Sequence, residues 1–410
     1  LGSIQEQHAV SIKAFKYRIY ANKATTEKLQ WVLDCCRELY NAALAERKEA
    51  WRMAGKSIDY YEQKRDLVEI KEIRPEYKDI ASHVLQDVIT RIKRTYDAFF
   101  RRIKNGEKPG HPRFQGRNRY TSFCYPDHAG WRLEGKHLHL TKIGTVKIKL
   151  HRQIEGKIKT LTIKREGEHW YAIFSCEVET EKLPVSYEDA GIDLGITHFA
   201  ALSDGTFIDN PRHFRKSEKK LASAQQALSR KKRDSHRRKK ASARVAKCHR
   251  KIRNQRKDFH HKASRKLVNQ YQIIAFEDLQ TKNLMKRPKP KQDENGKYLP
   301  NGASAKSGLN KSIQDAGWRT FTEMVSAKAA CAGRTVIFVD PFKTSQICSQ
   351  CLKEGLHKEL DERVHTCVHC GVILDRDTNA AVNILRLGHK STLGGTRPTG
   401  QPPVEVSRCT

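Results

Sequence analysis

The stretch Cys348-Ser349-Gln350-Cys351, followed after a gap of 15 residues by Cys367-Val368-His369-Cys370 and then by Asp375-Arg376-Asp377, decides the fold that the sequence predicts. Two Cys-x-x-Cys pairs at this spacing supply four thiolates for tetrahedral zinc. Four cysteine ligands leave no open coordination position, so the predicted zinc is structural rather than catalytic. The spacing favours this reading over disulfides or core thiols. We therefore expect a zinc ribbon formed by Cys348, Cys351, Cys367 and Cys370.

Charge and cysteine content indicate the partner and the compartment. The chain of 410 residues has 79 Lys and Arg against 46 Asp and Glu, which leaves a net charge of +33. Such an excess normally needs a polyanion to compensate it, and nucleic acid is the expected partner. No apolar run approaches the roughly 20 residues of a membrane span, so we expect no membrane partner. Eleven cysteines, an odd number, indicate a reducing cytoplasm.

The N-terminal half alternates like a sheet and is interrupted by helical spacing. Period-2 alternation predicts strands at 12–20, 145–150, 157–164 and 170–177. Apolar residues at helical spacing predict two helices between the first strand and the others. We expect a small antiparallel β-barrel from residues 9–22 and 108–186, with a helical insert at 23–107.

The C-terminal half reads as an α/β nuclease fold. It begins with three short predicted strands, at 191–196, 199–202 and 206–208. A strongly basic stretch at 212–266 and a buried strand at 273–277 come next. The predicted order then continues with a loop at 283–310, a helix at 313–332, a strand at 335–339, the zinc ribbon and a helix at 377–387. This order is the ribonuclease H-like topology. The predicted class is therefore a multidomain α+β or α/β protein. Its expected parts are a nuclease domain at 187–340 and 374–388, an inserted zinc ribbon at 341–373 and a disordered tail at 389–410.

Three acids are placed where that topology brings carboxylates together. We predict that Asp193, Glu277 and Asp377 hold two Mg²⁺ ions, because a pair of hard cations activates water and stabilises the leaving oxygen in phosphodiester hydrolysis. Each acid taken alone also has an ordinary structural explanation. Asp193 fits a turn between glycines, Glu277 fits the surface end of a strand, and Asp377 fits a helix N-cap, where Asp is a favoured residue. Asp375 competes with Asp377 for the third position. We prefer Asp377, which lies at the predicted helix start.

These residues resemble the TnpB family, the insertion-sequence-encoded RNA-guided DNA endonucleases related to type V CRISPR effectors. The resemblance covers about residues 10 to 388 and rests on these motifs: Gly110-x-Pro112-Arg113-Phe114, Gly191-Ile192-Asp193-Leu194-Gly195, Phe276-Glu277-Asp278-Leu279 with Asn283-Leu284, Asp315-Ala316-Gly317-Trp318, Thr344-Ser345-Gln346-x-Cys348-Ser349-x-Cys351 and Asp375-Arg376-Asp377-x-Asn379-Ala380-Ala381-x-Asn383-Ile384. It implies a wedge barrel and a RuvC-like nuclease centre that uses the three acids. One departure is Leu352, where the family usually has Gly.

The resemblance implies cleavage of double-stranded DNA next to a short adjacent motif, directed by a guide RNA transcribed from the transposon end. We expect one protein per RNA. Base pairing carries the sequence information, while the protein neutralises backbones. The basic stretch at 212–266, with 23 Lys or Arg against three acids, is the expected RNA and heteroduplex surface; its candidates are Arg230, Lys231, Lys232, Arg237 and Arg238. Tyr60 resembles a reader of the adjacent motif, although a packed surface tyrosine fits it equally.

Two other functions remain open from the sequence. His137-Leu138-His139 is formally the His-hydrophobe-His pattern of single-strand transposases, which pair it with a catalytic tyrosine. Alternation along an exposed strand produces the same pattern without a metal. The second alternative is a catalytically silent RNA-guided DNA-binding regulator, which would use the ribbon and the basic surface but cut nothing. The intact acids disfavour it.

Overall fold

The computed structural model describes residues 9–180, 182–355 and 362–393. These residues fall into two compact units, one comprising Val10–Glu179 and the other beginning at Thr180. No helix within the described ranges is long and apolar enough to cross a membrane.

The first unit is a seven-stranded sheet with helices inserted after its first strand. The strands follow the order β2-β6-β7-β1-β5-β4-β3. Their bounds are β1 Ala9–Tyr20, β2 Ser122–Tyr125, β3 Trp131–Glu134, β4 His137–Leu140, β5 Gly144–Lys149, β6 Lys157–Glu166 and β7 His169–Thr180. The helices are α1 Lys23–Ala54, α2 Tyr60–Arg65, α3 Leu67–Ile73 and α4 Ser82–Lys104, with short 3₁₀ turns at Pro75–Asp79 and His128–Gly130.

The sheet curls into a nearly closed barrel. Trp131 of edge strand β3 stacks edge-on against Phe174 of β7, with ring centroids 5.5 Å apart. The ring of Tyr125, on the opposite edge strand β2, lies against Gly130, where a Cβ would approach it to 2.3 Å. Residues of α1 and α4 share one hydrophobic core with the strands. The predicted barrel is thus present, and the segment predicted as an insert at 23–107 packs into its core.

The second unit is built on a mixed sheet of five strands in the order β10-β9-β8-β11-β14. Strands β8, β11 and β14 are parallel to one another. Strand β9 pairs antiparallel with both of its neighbours, β8 and β10. The bounds of these strands are β8 Asp189–Asp193, β9 His198–Leu202, β10 Phe207–Asp209, β11 Ile273–Glu277 and β14 Thr335–Val339. Two small hairpins are separate from this sheet and comprise β12 Lys291–Gln292, β13 Tyr298–Leu299, β15 Val364–Thr366 and β16 Ile373–Asp375.

Among the described residues, the helices that accompany this sheet are α5 His213–Ser229, α6 His236–Gln270, α7 Thr281–Leu284, α8 Ala303–Ala316, α9 Trp318–Ala332 and α10 Arg376–Leu393. Helices α6 and α9 bury apolar side chains in the same core as β8, β9 and β11. Helix α10 packs in a second cluster, in which Ile384 contacts residues of β11 and β14.

The helices differ from the sequence prediction in both units. In the first unit, α1 to α4 stand where two helices were predicted. In the second unit there are two differences. The segment predicted as a loop at 283–310 and a helix from 313 instead contains α8, which Gly317 separates from α9. Gly317 has φ of 66°, a left-handed conformation that ends one helix and lets the next begin in a new direction. Helix α10 also continues past 388 to Leu393, and His389 Nε2 on this last part lies 2.9 Å from Asp189 Oδ2. The predicted disordered tail at 389–410 is therefore wrong for its first residues, and 394–410 lie outside the described residues.

Candidate functional site

Two of the three predicted acids lie side by side at the end of the sheet. Asp193 is the last residue of β8 and Glu277 is the last residue of β11. These strands are parallel and pair Ile192 with Phe276, so the next residues, Asp193 and Glu277, are neighbours in register. Adjacent strands lie about 4.8 Å apart, and residues in register point to the same face. The sheet itself therefore brings these two carboxylates together.

Helix α10 brings the third acid to the same strand. Asp377 is its second residue, and the helix packs directly on β8. The approach is close enough that a Cβ on Gly191 would lie 2.0 Å from the carbonyl oxygen of Ala381. A Cβ on Gly388, near the other end of the helix, would lie 2.9 Å from Ala275 Cβ. Two glycines on facing elements thus set the distance between the helix and the sheet.

Asp375 has a different role from Asp377. Its Oδ1 accepts the backbone N–H groups of Asp377 and Thr378, at 2.9 and 3.0 Å. These are unpaired donors of the first helical turn, so Asp375 acts as the helix cap. The carboxylate of Asp377 is turned elsewhere, and its Oδ2 lies 3.9 Å from an Arg363 guanidinium nitrogen. This division of roles supports the preference for Asp377 over Asp375.

The pKa values of all three acids are raised, and that of Asp193 responds to both of the others. Burial raises the pKa of Asp193 well above its usual value, and the negative charges of Glu277 and Asp377 raise it further. The pKa of Glu277 is also raised by burial. Burial and the charge of Asp375 raise that of Asp377, against the opposing effect of Arg363. Like charges gathered in a half-buried site disfavour the ionised forms, and a bound cation would relieve that repulsion.

The donor set suits a hard divalent cation, since carboxylate oxygens are the ligands that Mg²⁺ prefers. Asp193, Glu277 and Asp377 would hold it. We expect perturbed carboxylates clustered at one end of a sheet to mark a functional site.

Several buried polar residues beside this site were missed by the sequence analysis. The Thr344 hydroxyl donates to Glu277 Oε1. Asn379 and Asn383 on α10, both buried, bind backbone groups of the segment that leads into the cysteines. All three occur in the quoted motifs, but their roles depend on contacts across the fold that no spacing rule indicates.

The four cysteines form one cluster. The ligand atoms of Cys348, Cys351, Cys367 and Cys370 all lie within 4.8 Å of one another. Two of the sulfur pairs are 3.7 and 3.5 Å apart. Zinc with four thiolates at about 2.3 Å places sulfurs about 3.8 Å apart, so the cluster fits a structural zinc ion. Within the described part of the chain, it is the one such group drawn together this tightly; the three carboxylates are less closely gathered.

The thiolate form that zinc requires is supported locally. Backbone N–H groups of His369 and then Cys370 lower the pKa of the Cys367 thiol to about 6. Thiolate, not thiol, is the metal ligand. The pKa of Cys370 is raised instead, because the lowering effect of the Val372 backbone N–H is outweighed by burial and the neighbouring thiols. The backbone therefore favours the thiolate at Cys367, and a bound cation would favour it at Cys370.

The predicted nucleic-acid residues occupy the connection between α5 and α6. Arg230, Lys231, Lys232 and Arg237 are exposed. Arg238 is partly buried, and its guanidinium donates to the carbonyls of Leu228 and Lys231, at 3.3 and 3.0 Å. Arg238 therefore fixes the turn, while the other four have side chains that a polyanion can reach.

Tyr60, in the first unit, is partly buried rather than presented to solvent. Its hydroxyl lies 3.3 Å from the Thr90 hydroxyl, and its ring contacts Tyr61 with centroids 5.1 Å apart. Tyr61 is the exposed member of the pair, with 68% of its surface accessible. Recognition by Tyr60 stays a prediction.

The His-hydrophobe-His pattern lies on β4 of the barrel. Leu138 points into the core, and His137 and His139 face outward. His139 contacts the Thr145 hydroxyl at 2.8 Å and Glu134 at 3.2 Å. This arrangement is what alternation along a strand produces without any metal.

Comparison with family models matches three parts of the chain. A probable transposase model, OrfB of IS605 type, matches residues 173–288. A Cas12f1-like TNB domain model matches residues 318–384, which include all four cysteines and Asp377. A helix-turn-helix domain model of OrfB type matches residues 11–56, which here form β1 and α1.

Two relatives match over most of their length. The chain is 31% identical to the putative RNA-guided DNA endonuclease InsQ of Escherichia coli (strain K12), covering 97% of this chain and 99% of the relative. It is 32% identical to a putative RNA-guided DNA endonuclease of Streptomyces pristinaespiralis, covering 92% and 89%. The solved mini-RNA-guided endonuclease CRISPR-Cas phi3 gives a TM-score of 0.48 at 12% identity, covering 96% of this chain and 94% of that chain.

Proposed function

The chain belongs to the TnpB family of insertion-sequence proteins, and from this premise we propose that it is an RNA-guided DNA endonuclease. It cleaves double-stranded DNA next to a short adjacent motif, using a guide RNA transcribed from the transposon end, in the cytoplasm of a prokaryote. The reaction is two-metal phosphodiester hydrolysis with Mg²⁺.

The observation that carries this proposal is the convergence of three separate chain segments. Asp193 and Glu277 end adjacent parallel strands in register, and Asp377 begins the helix packed on β8. Their charges act together on the pKa of Asp193. A stable fold gains nothing from gathering three acids in this way, since each raises the cost of ionising the others. A cation-dependent reaction explains the arrangement.

The strand arrangement supports a RuvC-like nuclease domain. Three strands in antiparallel succession are followed by two that add in parallel on the other side of β8, which is the order expected of a ribonuclease H-like fold. We propose that residues 187–340 and 374–388 form this domain, with residues 341–373 as its zinc-ribbon insertion.

Each acid has a proposed role. The in-register pair Asp193 and Glu277 offers carboxylate oxygens from a rigid sheet, and both would hold the metal, with Asp193 placed between Glu277 and Asp377. Asp377 completes the set from α10, and the close approach of this helix to β8 depends on Gly191. The bound Mg²⁺ ions would activate a water and neutralise charge at the scissile phosphate. All three acids are half-buried, which limits but does not remove the access of solvent to their carboxylates.

The net charge of +33 supports a nucleic-acid complex. Arg230, Lys231, Lys232 and Arg237 offer exposed charge at the α5–α6 connection for RNA or heteroduplex backbones. The protein reads the short adjacent motif, and pairing with the guide reads the rest. One protein binds one RNA.

The deciding experiment incubates purified protein carrying its copurified RNA with Mg²⁺ and a plasmid that contains the matched target and adjacent motif. Linearised plasmid is expected with the native chain and not with Asp193→Asn. DNA that is retarded but uncut by the native chain would favour the silent regulator. Sequencing the copurified RNA identifies the guide.

The transposase alternative makes a different prediction in the same assay. If His137→Ala abolished cleavage and Asp193→Asn left it intact, the His-hydrophobe-His chemistry would be correct. The outward pairing of His139 with Thr145 and Glu134 disfavours that outcome.

A further inference from the structure

Thr344 contacts the acid site although it belongs to the segment that leads into the cysteines. Its side chain is buried, with 4% of its surface exposed. The hydroxyl donates to Glu277 Oε1 and lies 3.3 Å from the Pro341 carbonyl. A hydroxyl has one proton, and the carboxylate is the closer and more strongly accepting partner. The Glu277 carboxylate is thus held from one side by a neutral, buried donor.

The backbone of Thr344 is in turn fixed by helix α10. Asn383 Nδ2 donates to the carbonyl of Thr344 at 2.9 Å and to that of Ile347 at 2.7 Å. Both N–H groups of this buried amide are therefore used for the same short segment. The helix that carries Asp377 also determines where the Thr344 hydroxyl lies.

The same helix holds the first cysteine knuckle. Asn379 Nδ2 donates to the carbonyl of Ile347 at 2.9 Å, and Asn379 Oδ1 accepts the backbone N–H of Ser349 at 2.8 Å. Ile347 and Ser349 flank Cys348. Helix α10 therefore holds both the backbone on either side of Cys348 and the backbone of Thr344, whose hydroxyl contacts Glu277.

We propose that Thr344 is a positioning residue, whose hydroxyl fixes the Glu277 carboxylate in the orientation that holds a divalent cation. This inference rests on the proposed function, because it assigns Glu277 as a ligand. Partners that orient metal-binding carboxylates commonly change metal affinity tenfold to a hundredfold when they are removed. The β-branched side chain has few allowed χ1 rotamers, so Thr344 itself is held in a defined orientation.

The test compares Thr344→Val, Thr344→Ser and the control Thr322→Val in full chain bound to its copurified RNA. Val keeps the shape of Thr and removes the hydroxyl, and Ser keeps the hydroxyl. Thr322 is partly buried in α9, and its hydroxyl donates to the carbonyl of Arg319 in the same helix at 3.1 Å, away from the acids. Binding of Mn²⁺ is measured by electron paramagnetic resonance, and zinc content by elemental analysis.

Thr344→Val is expected to weaken Mn²⁺ binding about tenfold or more, with zinc content unchanged, and to raise the Mg²⁺ concentration needed for half-maximal cleavage equally. Saturating Mg²⁺ restores most of the rate. Thr344→Ser and Thr322→Val stay within about threefold of the native chain, well inside the effect expected for the missing hydroxyl.

The inference is overturned if native protein binds Mn²⁺ and Thr344→Val binds it equally well, or if Thr344→Ser is as weak as Thr344→Val. Loss of zinc together with Mn²⁺ in Thr344→Val would assign a purely structural role instead and also overturns it. Failure of the proposed function gives a different result. In that case Asp193→Asn would bind Mn²⁺ as well as the native chain does.

Discussion

Leu352 and Gly371 occupy equivalent positions in the two cysteine knuckles. Each follows the second cysteine of its pair, and each donates its backbone N–H to the carbonyl of the first, at 3.0 and 2.9 Å. Both have left-handed backbones, with φ of 64° and 73°. Glycine adopts this conformation freely and leucine does not. The departure at Leu352 that the sequence showed is therefore a strained position in the first knuckle.

Replacing this leucine should relax the first knuckle. Leu352→Gly removes a left-handed penalty of roughly 1–2 kcal/mol, which the extra freedom of Gly in the unfolded chain offsets by about 0.5–1 kcal/mol. Because Leu352 is half exposed, little packing is lost. Zinc release to a competing chelator is expected to be as slow as in the native chain or slower.

The matched substitution in the second knuckle should act in the opposite direction. Gly371→Leu introduces the same strain where none exists and is expected to speed zinc release. Faster release from Leu352→Gly than from Gly371→Leu would contradict this account of the two turns.

The acid cluster should destabilise the protein when no cation is bound. The pKa of Asp193 is raised by burial and by its neighbouring acids, so the folded state binds more protons than the unfolded state between the two pKa values. Stability therefore falls as pH rises from the unfolded pKa, about 3.9, through the folded one. Above that window, Asp193→Asn is expected to raise the Tm in EDTA, and a gain of about 1 kcal/mol corresponds to roughly 2–4 °C.

Divalent cation should cancel this advantage, because Mg²⁺ stabilises only the chain that binds it. Asp204→Asn is the matched control. Asp204 accepts hydrogen bonds from Tyr271 and Thr206, and its pKa is lowered despite burial, so its replacement should lower the Tm. Calorimetry at pH 7.5 in EDTA and in Mg²⁺ distinguishes the two, and a lower Tm for Asp193→Asn in EDTA would refute the repulsion.

The close approach of α10 to β8 depends on Gly191. In Gly191→Ala the new Cβ would meet the Ala381 carbonyl oxygen at 2.0 Å and the Leu385 nitrogen at 2.5 Å, so the helix must move. Overpacking of this kind costs about 1–3 kcal/mol or more, and displacement of Asp377 should also abolish cleavage. Gly308→Ala, inside α8 with the nearest atom 3.9 Å away, should instead stabilise the chain by about 0.5–1 kcal/mol in urea unfolding; a loss of stability equal to that of Gly191→Ala would be incompatible with this packing.

Substitutions of Asp375 and Asp377 should have different effects, the first on stability and the second on cleavage. Asp375 caps α10 through the N–H groups of Asp377 and Thr378, so Asp375→Ala is expected to lose about 0.5–2 kcal/mol of stability and to keep cleavage. Asp377→Asn should keep stability and lose cleavage. Parallel unfolding and plasmid assays decide, and the reverse pattern would make Asp375 the ligand.

The sequence predicted those features that depend on local spacing. The cysteine pairs predicted their cluster, and the buried apolar run predicted the strand at 273–277 that ends in Glu277. The strand predicted at 191–196 exists but spans Asp189–Asp193, so its end at Asp193 was not predicted. The break at Gly317 was missed, because apolar residues continue at helical spacing across it and only its positive φ separates α8 from α9. Strands β2 to β4 have four residues each, too short for alternation to distinguish them from turns.

Features that depend on contacts between distant segments could not be predicted. Thr344 meets Glu277 across 67 residues of sequence. Arg238 belongs to a basic run but is oriented by the carbonyls of the preceding turn. Composition gives the charge of such a side chain, and only the fold determines whether it is available to a ligand.

The most direct test of the central claim is a measurement of divalent cation binding by the RNA-bound chain. Electron paramagnetic resonance of Mn²⁺ compares the native protein with Asp193→Asn, Glu277→Gln and Asp377→Asn. The account predicts Mn²⁺ bound by the native chain, displaced by Mg²⁺ and lost in all three variants, with zinc content unchanged. Native affinity retained in any one of the three would contradict a single site built from these carboxylates.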